Sequence, residues 1–173
     1  GGEQALFSGT IGQFFPEYGD HDPDVILLHD IFSQIDPSGQ FENHIHERAL
    51  LQTLRRQGKK IVLLTDSPDV LAKKVLAEAG FDPSDFDYIF AYSREHGPLK
   101  ITKGATVFAE IASLLGIPSE RILSIGDSLP MDIRTAEAVG MKTCLISNHS
   151  LNGYEGLTVP SISRVGVVYR RTI

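Results

Sequence analysis

The sequence has little cysteine and no long apolar run. Its single cysteine, Cys144, cannot form an internal disulfide, and its place in the apolar run "TCLI" indicates a buried structural thiol. One cysteine also fits a reducing compartment, so we expect a cytoplasmic protein. No apolar run approaches the roughly 20 residues that a membrane span needs. The first residues, "GGEQALFSG", lack the charged-then-apolar pattern of a signal peptide.

An excess of positive charge is also missing. The 173 residues include 16 lysines and arginines against 22 aspartates and glutamates, so the formal net charge is −6. The sequence has no long run of lysines and arginines. We therefore expect no surface built for nucleic acid or for an anionic membrane. The composition, 42% hydrophobic and 22% charged, is ordinary for a globular domain with a real core.

Short apolar runs alternate with helical patterns along most of the chain. Continuous apolar runs predict buried strands, and apolar residues at helical spacing with a terminal glycine predict helices. The predicted strands are 24–30, 59–67, 86–93, 121–127 and 142–147, and the predicted helices are 42–58, 67–80, 103–116 and 131–140. This order predicts an α/β fold, a doubly wound, Rossmann-like parallel sheet with helices on both faces.

The ends of the chain are predicted to lie outside this α/β core, which spans residues 24–150. Residues 1–23 are predicted to be an N-terminal arm, whose aromatic residues would pack on the core or on another subunit of a homo-oligomer. Residues 151–173 are predicted to contain a loop and then an edge strand at 164–171, where apolar and polar residues alternate.

Polar residues follow three of the predicted strands. The carboxyl ends of parallel strands meet at one edge of a sheet, where such folds bind ligands. Helices begin just after two of these strand ends, and a helix N-terminus suits an anion such as phosphate. The polar residues are His29 and Asp30, then Thr65, Asp66 and Ser67, and finally Asp127, Ser128 and Asp132.

Taken singly, several of these residues have ordinary structural explanations. Ser67 alone is better explained as a helix cap, and Thr65 alone as a turn residue. Asp127 and Asp132 together are harder to explain in this way. Two neighbouring carboxylates repel each other unless a cation or a proton lies between them, and hard oxygen ligands suit Mg²⁺.

The order of these motifs resembles the haloacid dehalogenase (HAD) superfamily of phosphatases, over roughly residues 24–147. The best match is "ILSIGDSLPMDIRTAEAVGMKTCLIS", with its Gly-Asp-Ser and a second aspartate five residues after the first. In "KIVLLTDS", Thr65 stands at the Ser/Thr position of the family and Asp66 replaces the common asparagine. Lys103 stands about where the family has its lysine, and Lys100 is the rival.

The first motif departs from the family pattern, Asp-x-Asp-Gly-Thr or Val. In "LLHDIFSQIDPSG", matching Asp30 to the nucleophile puts Phe32 at the general acid position and Ser-Gln in place of the Gly-Thr pair. Some members of the NagD-like branch carry an aromatic residue there, and "DIFSQI" resembles that variant most. The other register would put His29 at the nucleophile. Asp30 is preferred because it places the second strand at the usual distance.

The chain also resembles a HAD domain without a cap. Residues 30–65 hold only a loop and one helix, and residues 93–103 are too few for the large cap domain of NagD-like proteins. An open site would admit a large or macromolecular phosphate as well as a small one, or it would need a neighbouring subunit as its lid.

The resemblance implies a Mg²⁺-dependent phosphatase that forms an aspartyl-phosphate. Its implied roles are Asp30 as nucleophile; Asp30, Asp127, the main-chain carbonyl of Phe32 and the nearby Asp132 at the metal; and Thr65, the N–H of Asp66 and Lys103 at the phosphoryl group. Because Phe32 cannot transfer a proton, we expect weak turnover of alkyl esters, since general acid–base help is worth about 10²–10⁴ in rate. The alternative is a degenerate domain that binds a ligand or protein partner without turnover.

Overall fold

The computed structural model describes residues 30–40, 42–93, 99–149 and 153–165. The chain divides into two compact units, residues 1–102 and 103–173. The predicted N-terminal arm and all but the last residue of the predicted first strand lie outside the described residues. Asp30, the last residue of that predicted strand, instead opens a helical turn over residues 30–33.

The described residues of the first unit include a pair of parallel strands. Its elements are α1 (Ile45–Arg56), β1 (Val62–Pro68), α2 (Asp69–Glu78), a 3₁₀ turn (Pro83–Asp85), β2 (Tyr88–Tyr92) and α3 (Leu99–Lys103), whose last residue is the first of the second unit. Val62 lies opposite Tyr88, and Leu64 lies opposite Phe90. The apolar face of α2 supplies buried residues to the core of this unit, whereas α1 buries none of its residues fully.

The end of β1 bulges away from its partner. The next pair after Leu64 and Phe90 is Pro68 and Tyr92, so β1 advances four residues (68 − 64 = 4) while β2 advances two (92 − 90 = 2). Extra residues on one strand interrupt the ladder and turn side chains in new directions. The strand therefore runs on to Pro68, and α2 begins at Asp69 without a side-chain cap. The prediction that Ser67 caps this helix is wrong.

A buried carboxylate ties α1 to the loop between α2 and β2. Asp85 is 4% exposed. It accepts hydrogen bonds from Arg48 Nε at 2.6 Å, from Gln52 Nε2 at 3.3 Å and from the N–H of Asp82 at 2.9 Å. Burial alone would raise the pKa of Asp85, but these hydrogen bonds and the Arg48 charge together hold it below the ordinary value of 3.8. Because α1 has no fully buried apolar face, this polar network is what attaches it to the rest of the unit.

A second carboxylate binds the start of β1 to the start of β2. Asp87 Oδ2 accepts the N–H of Ile61 at 2.9 Å, and Asp87 Oδ1 accepts from Lys60 Nζ at 3.1 Å. In return, the N–H of Asp87 donates to the carbonyl of Ile61 at 2.7 Å. The hydrogen bond from Ile61 is the largest of the effects that hold the pKa of Asp87 below its ordinary value. These contacts fix the start of β1 relative to the start of β2.

Among its described residues, the second unit contains three parallel strands. Its further elements are α4 (Ala105–Leu115), a 3₁₀ turn (Ser119–Arg121), β3 (Leu123–Gly126), a π-helical segment (Leu129–Arg134), α5 (Thr135–Ala138), β4 (Lys142–Ile146) and β5 (Thr158–Val159). The strand order is β3-β4-β5. Gly126 lies opposite Leu145, which in turn lies opposite Thr158. The predicted α/β class with parallel strands is confirmed.

The core of the second unit confirms the prediction for the cysteine. Cys144 is fully buried and packs with Val159 and Val165. Burial raises the pKa of its thiol, so the thiolate is disfavoured and the residue acts as a small apolar side chain. In the parts of the chain that the structure describes, no helix is long and apolar enough to cross a membrane.

The last part of the chain differs from the prediction. A short strand, β5, lies in the segment predicted as a loop, because β4 offers an edge that it can pair with: Leu145 N–H donates to the Leu157 carbonyl and Ser147 N–H donates to the Val159 carbonyl. Residues 162–165 form a helical turn instead of the first part of the edge strand predicted at 164–171. Residues 166–171 lie outside the described residues.

The Asp85 network predicts acid-sensitive stability. A carboxyl group whose pKa is lowered by folding stabilises the protein fully above its unfolded value of 3.8, and this contribution is lost as the pH falls through the lower folded value. We expect Asp85→Asn to lower the free energy of unfolding by about 2 kcal/mol at neutral pH. Its stability should also fall less steeply below pH 3.8 than that of the wild type, as measured by urea unfolding across pH.

The matched control is Asp69→Asn, which removes a carboxylate from an exposed pair with Lys73 in the same unit. Such pairs contribute at most about 1 kcal/mol. An Asp85→Asn variant with wild-type stability and an unchanged acid slope would contradict the role given to the network.

Candidate functional site

The bulge at the end of β1 presents Thr65 and Asp66. The Thr65 side chain is half-buried, and its Oγ1 accepts the N–H of Ser67 at 3.1 Å. This bond fixes the turn out of the strand, and the hydroxyl keeps its own proton for donation to another acceptor. A rigid turn with a hydroxyl donor is suited to a bound anion.

Asp66 makes a contact that the sequence analysis missed. Its side chain is 7% exposed, and Oδ1 accepts the N–H of Lys100 at 2.7 Å. The carboxylate is therefore directed at the beginning of α3. The one sequence signal was the departure from the asparagine that is common at this position.

The segment that contains the predicted nucleophile is a short helical turn. Asp30 and Phe32 are both half-buried in it. The Phe32 carbonyl accepts the N–H of Ile35 at 3.1 Å. A carbonyl oxygen carries two lone pairs, so this bond is compatible with the metal contact expected of Phe32.

Lys74, on α2, binds main-chain carbonyls at the end of this turn and just after it. Its Nζ donates to the carbonyl of Ser33 at 3.2 Å and to the carbonyl of Ile35 at 3.4 Å. Lys74 carries no sequence signal, because no motif links a helix lysine to main-chain carbonyls about 40 residues earlier in the chain. The contact anchors the loop after Asp30 to the helix after β1.

In the second unit, the two predicted acidic residues follow β3: Asp127 lies in the loop and Asp132 in the first turn of the π-helical segment. Asp127 is exposed, and Asp132 is 8% exposed. Asp132 Oδ2 accepts the N–H of Ser128 at 3.1 Å, and Ser128 Oγ accepts the N–H of Met131 at 3.3 Å. Ser128 thus caps the π-helical segment and orients the loop, and Asp132 folds back onto the loop instead of extending into solvent.

Lys103, at the end of α3, pairs with Glu110 on α4. The distance from Lys103 Nζ to Glu110 Oε2 is 2.8 Å, and the two side chains are 39% and 51% exposed. Exposed pairs of this kind contribute at most about 1 kcal/mol, so Lys103 could exchange Glu110 for a phosphate at little cost.

The donor chemistry of the predicted metal residues fits Mg²⁺, since carboxylate and carbonyl oxygens are its preferred protein ligands. Within the described residues, no three histidine, cysteine or acidic side chains form a group able to hold a metal ion. The metal set and the coming together of the predicted residues therefore stay predictions. The structure does fix the local surroundings of each residue within its own unit.

A model of the haloacid dehalogenase-like hydrolase family matches residues 17–140, which is well over half of the chain. The chain belongs to this family. The match includes all the predicted site residues, from Asp30 to Asp132. No curated protein sequence matches the chain at a significant level.

Solved structures of HAD proteins share the fold. A HAD phosphatase from Thermococcus onnurineus is 21% identical, with a TM-score of 0.56 over 70% of this chain and 55% of that one. A 2-haloacid dehalogenase from Pseudomonas syringae is 14% identical, with a TM-score of 0.59 over 76% and 55%. A HAD-like hydrolase from Xanthomonas campestris is 21% identical, with a TM-score of 0.54 over 72% and 48%.

These structures support the fold of this HAD chain and do not fix its substrate, because their identities are low. The chain spans about half the length of each of the three. The predicted HAD-like α/β fold is confirmed. The absence of a cap domain and the likeness to the NagD-like branch stay predictions.

Gly126 is needed for the position of Asp132. A Cβ atom built at Gly126 would lie 2.3 Å from both Cβ and Oδ2 of Asp132. Such an overlap must move one of the two residues. The glycine of the Gly-Asp-Ser motif is therefore required for space, and not for an unusual backbone angle.

We expect Gly126→Ala to displace Asp132, to break its bond with the Ser128 N–H and to destabilise the protein by about 1–3 kcal/mol. Thermal unfolding measures the loss, and amide hydrogen exchange at Ser128 reports on the bond. The control is the same substitution in an Asp132→Gly background, where the overlapping atoms are gone and the cost should be smaller. An equal cost in both backgrounds would contradict this explanation.

Proposed function

We propose that this chain is a Mg²⁺-dependent phosphatase that hydrolyses a phosphate ester through an aspartyl-phosphate on Asp30. The observation that supports this most is the loop after β3. There a buried Asp132 is held by the Ser128 N–H beside an exposed Asp127, at the carboxyl end of a parallel strand. Family membership makes hydrolysis the natural chemistry of such a loop.

The proposed reaction has two steps. A carboxylate oxygen of Asp30 attacks phosphorus, the bond to the ester oxygen breaks, and the alcohol leaves with a proton from solvent. Water then attacks the phosphorus of the aspartyl-phosphate, which releases orthophosphate and restores the carboxylate. Bound Mg²⁺ would gather the negative charge of the phosphoryl group, and Asp30, Asp127, Asp132 and the Phe32 carbonyl would hold it.

Three donors are proposed to bind the phosphoryl oxygens. The Thr65 hydroxyl and the Asp66 N–H come from the bulge, where the Ser67 N–H already fixes the Thr65 oxygen. Lys103 would supply a positive charge after leaving its exposed pair with Glu110. Charge-assisted hydrogen bonds of this type are about twice as strong as neutral ones.

Phe32 limits the proposed activity. It has no proton to give to the leaving alcohol and no base to activate water, and such help is worth about 10²–10⁴ in rate. Alkyl phosphates, whose alkoxides are poor leaving groups, should therefore react slowly. Aryl and acyl phosphates need less proton transfer and should react faster.

The second candidate function is a degenerate HAD domain that binds a ligand or protein partner without turnover. Phe32 is the observation that favours it, because an aromatic residue replaces the proton-transferring group. The size of the substrate, the homo-oligomer and the cytoplasmic location stay predictions under either candidate.

The test is hydrolysis of p-nitrophenyl phosphate and an alkyl phosphate with and without Mg²⁺. We expect Mg²⁺-dependent turnover that Asp30→Asn abolishes. Phe32→Asp should raise the alkyl rate on the order of 10², with less effect on the aryl ester. Asp36→Asn is the control, because Asp36 is an exposed carboxylate in the same segment that accepts the Ser38 N–H at 3.0 Å.

Asp36→Asn should retain wild-type turnover. Turnover that survives Asp30→Asn would show that the nucleophile is assigned wrongly. A wild type that binds Mg²⁺ and orthophosphate but hydrolyses neither ester, even with Phe32→Asp, would favour the binding domain.

A further inference from the structure

Asp66 has a buried side chain whose contact none of the proposed catalytic steps uses. Asp66 is 7% exposed, so its carboxylate must be compensated by hydrogen bonds, since burial of an isolated charge is very unfavourable. One such bond is the 2.7 Å contact with the main-chain N–H of Lys100, 34 positions further along the chain. The bulge at the end of β1 directs Asp66 toward this partner.

The helix that receives this bond is too short to be stable by itself. Within the described residues α3 spans five positions, Leu99–Lys103, and helices of this length are marginal without outside contacts. The first N–H groups of a helix have no partner within the helix. The Asp66 carboxylate satisfies one of them at Lys100, and its negative charge suits the positive end of the helix.

α3 also carries both lysines that compete for the phosphate-binding role, Lys100 and Lys103. A bond at the first turn of a one-turn helix limits the movement of every residue in that helix. The Asp66 contact therefore bears on the charged group that the proposed reaction needs, whichever of the two lysines supplies it.

We propose that Asp66 is a positioning residue, whose carboxylate holds the first turn of α3 and so fixes the lysine that neutralises the phosphoryl group. This inference rests on the proposed phosphatase function. It gives the side chain of Asp66 a task separate from that of its main-chain N–H. Asparagine keeps an acceptor oxygen at this position but loses the charge that strengthens the bond.

The experiment compares Asp66→Ala and Asp66→Asn in the full chain. Asp66→Ala should speed amide exchange at Lys100 and lower kcat for p-nitrophenyl phosphate, each about ten-fold, as expected for the loss of a hydrogen bond to a charged group. Asp66→Asn should change both the exchange rate at Lys100 and kcat less than Asp66→Ala does. If Asp66→Ala does not fold, Asp66→Leu replaces the carboxylate with an apolar side chain of similar size.

The matched control is Asp82→Ala. Asp82 Oδ1 accepts the N–H of Ser84 at 2.8 Å and caps another short helical turn of the first unit. Its loss should lower stability but leave kcat and the exchange at Lys100 unchanged. A general loss of stability is thereby separated from a loss of position.

A double-mutant cycle tests whether Asp66 acts through a lysine. Asp66→Ala is combined with Lys100→Met and with Lys103→Met. If the carboxylate positions one of these lysines, the combined variant should lose little more kcat than that lysine variant alone. Additive losses with both lysines would overturn the inference, as would unchanged exchange at Lys100 in Asp66→Ala.

Failure of the proposed function would give a different result. If the wild type has no phosphatase activity, the same variants are compared by calorimetric binding of orthophosphate. Weaker binding with Asp66→Ala, but not with Asp82→Ala, would support the positioning role in an inactive domain. Unchanged binding would overturn it.

Discussion

A carboxylate that accepts a main-chain N–H is the interaction on which both units depend. In the first unit, Asp85, Asp87 and Asp66 accept N–H groups from loop and helix residues, and Asp132 does so in the second. Each bond compensates a charge that is largely withdrawn from water and also satisfies a main-chain donor at the end of an element. An element that buries none of its residues fully, such as α1, depends most on such bonds.

The same interaction links the fold to the proposed chemistry. Asp132 is placed by Ser128 and by the space above Gly126, and Asp66 joins the end of β1 to the start of α3. These contacts order the loops that follow two of the parallel strands, where an α/β fold binds its ligands. Catalytic groups on such loops need rigid support, because small displacements reduce the rate strongly.

The sequence predicted the regular elements well, because their signals are local. Apolar runs and helical spacing gave four strands and four helices close to their observed bounds, and the Gly-Asp-Ser motif indicated the family that the comparisons confirmed. The bulge at Thr65, the Asp85 network and the contacts of Lys74 were not predictable in this way. The bulge depends on how β1 pairs with β2, and the other two depend on groups 33 to 41 positions apart in the chain that the fold brings together. Residues 164 and 165, the first two of the strand predicted at 164–171, lie in a helical turn instead, and local alternation there does not reveal that β4 pairs with residues 158–159.

The proposed mechanism requires that Asp30 attack phosphorus. The most direct measurement is to incubate the chain with Mg²⁺ and acetyl phosphate, reduce any acyl phosphate with borohydride, and locate the altered residue by peptide mass spectrometry. We expect Asp30 to become homoserine, and we expect this change to require both Mg²⁺ and the phosphate donor. Modification of another carboxylate, or turnover with no modified residue at all, would contradict it.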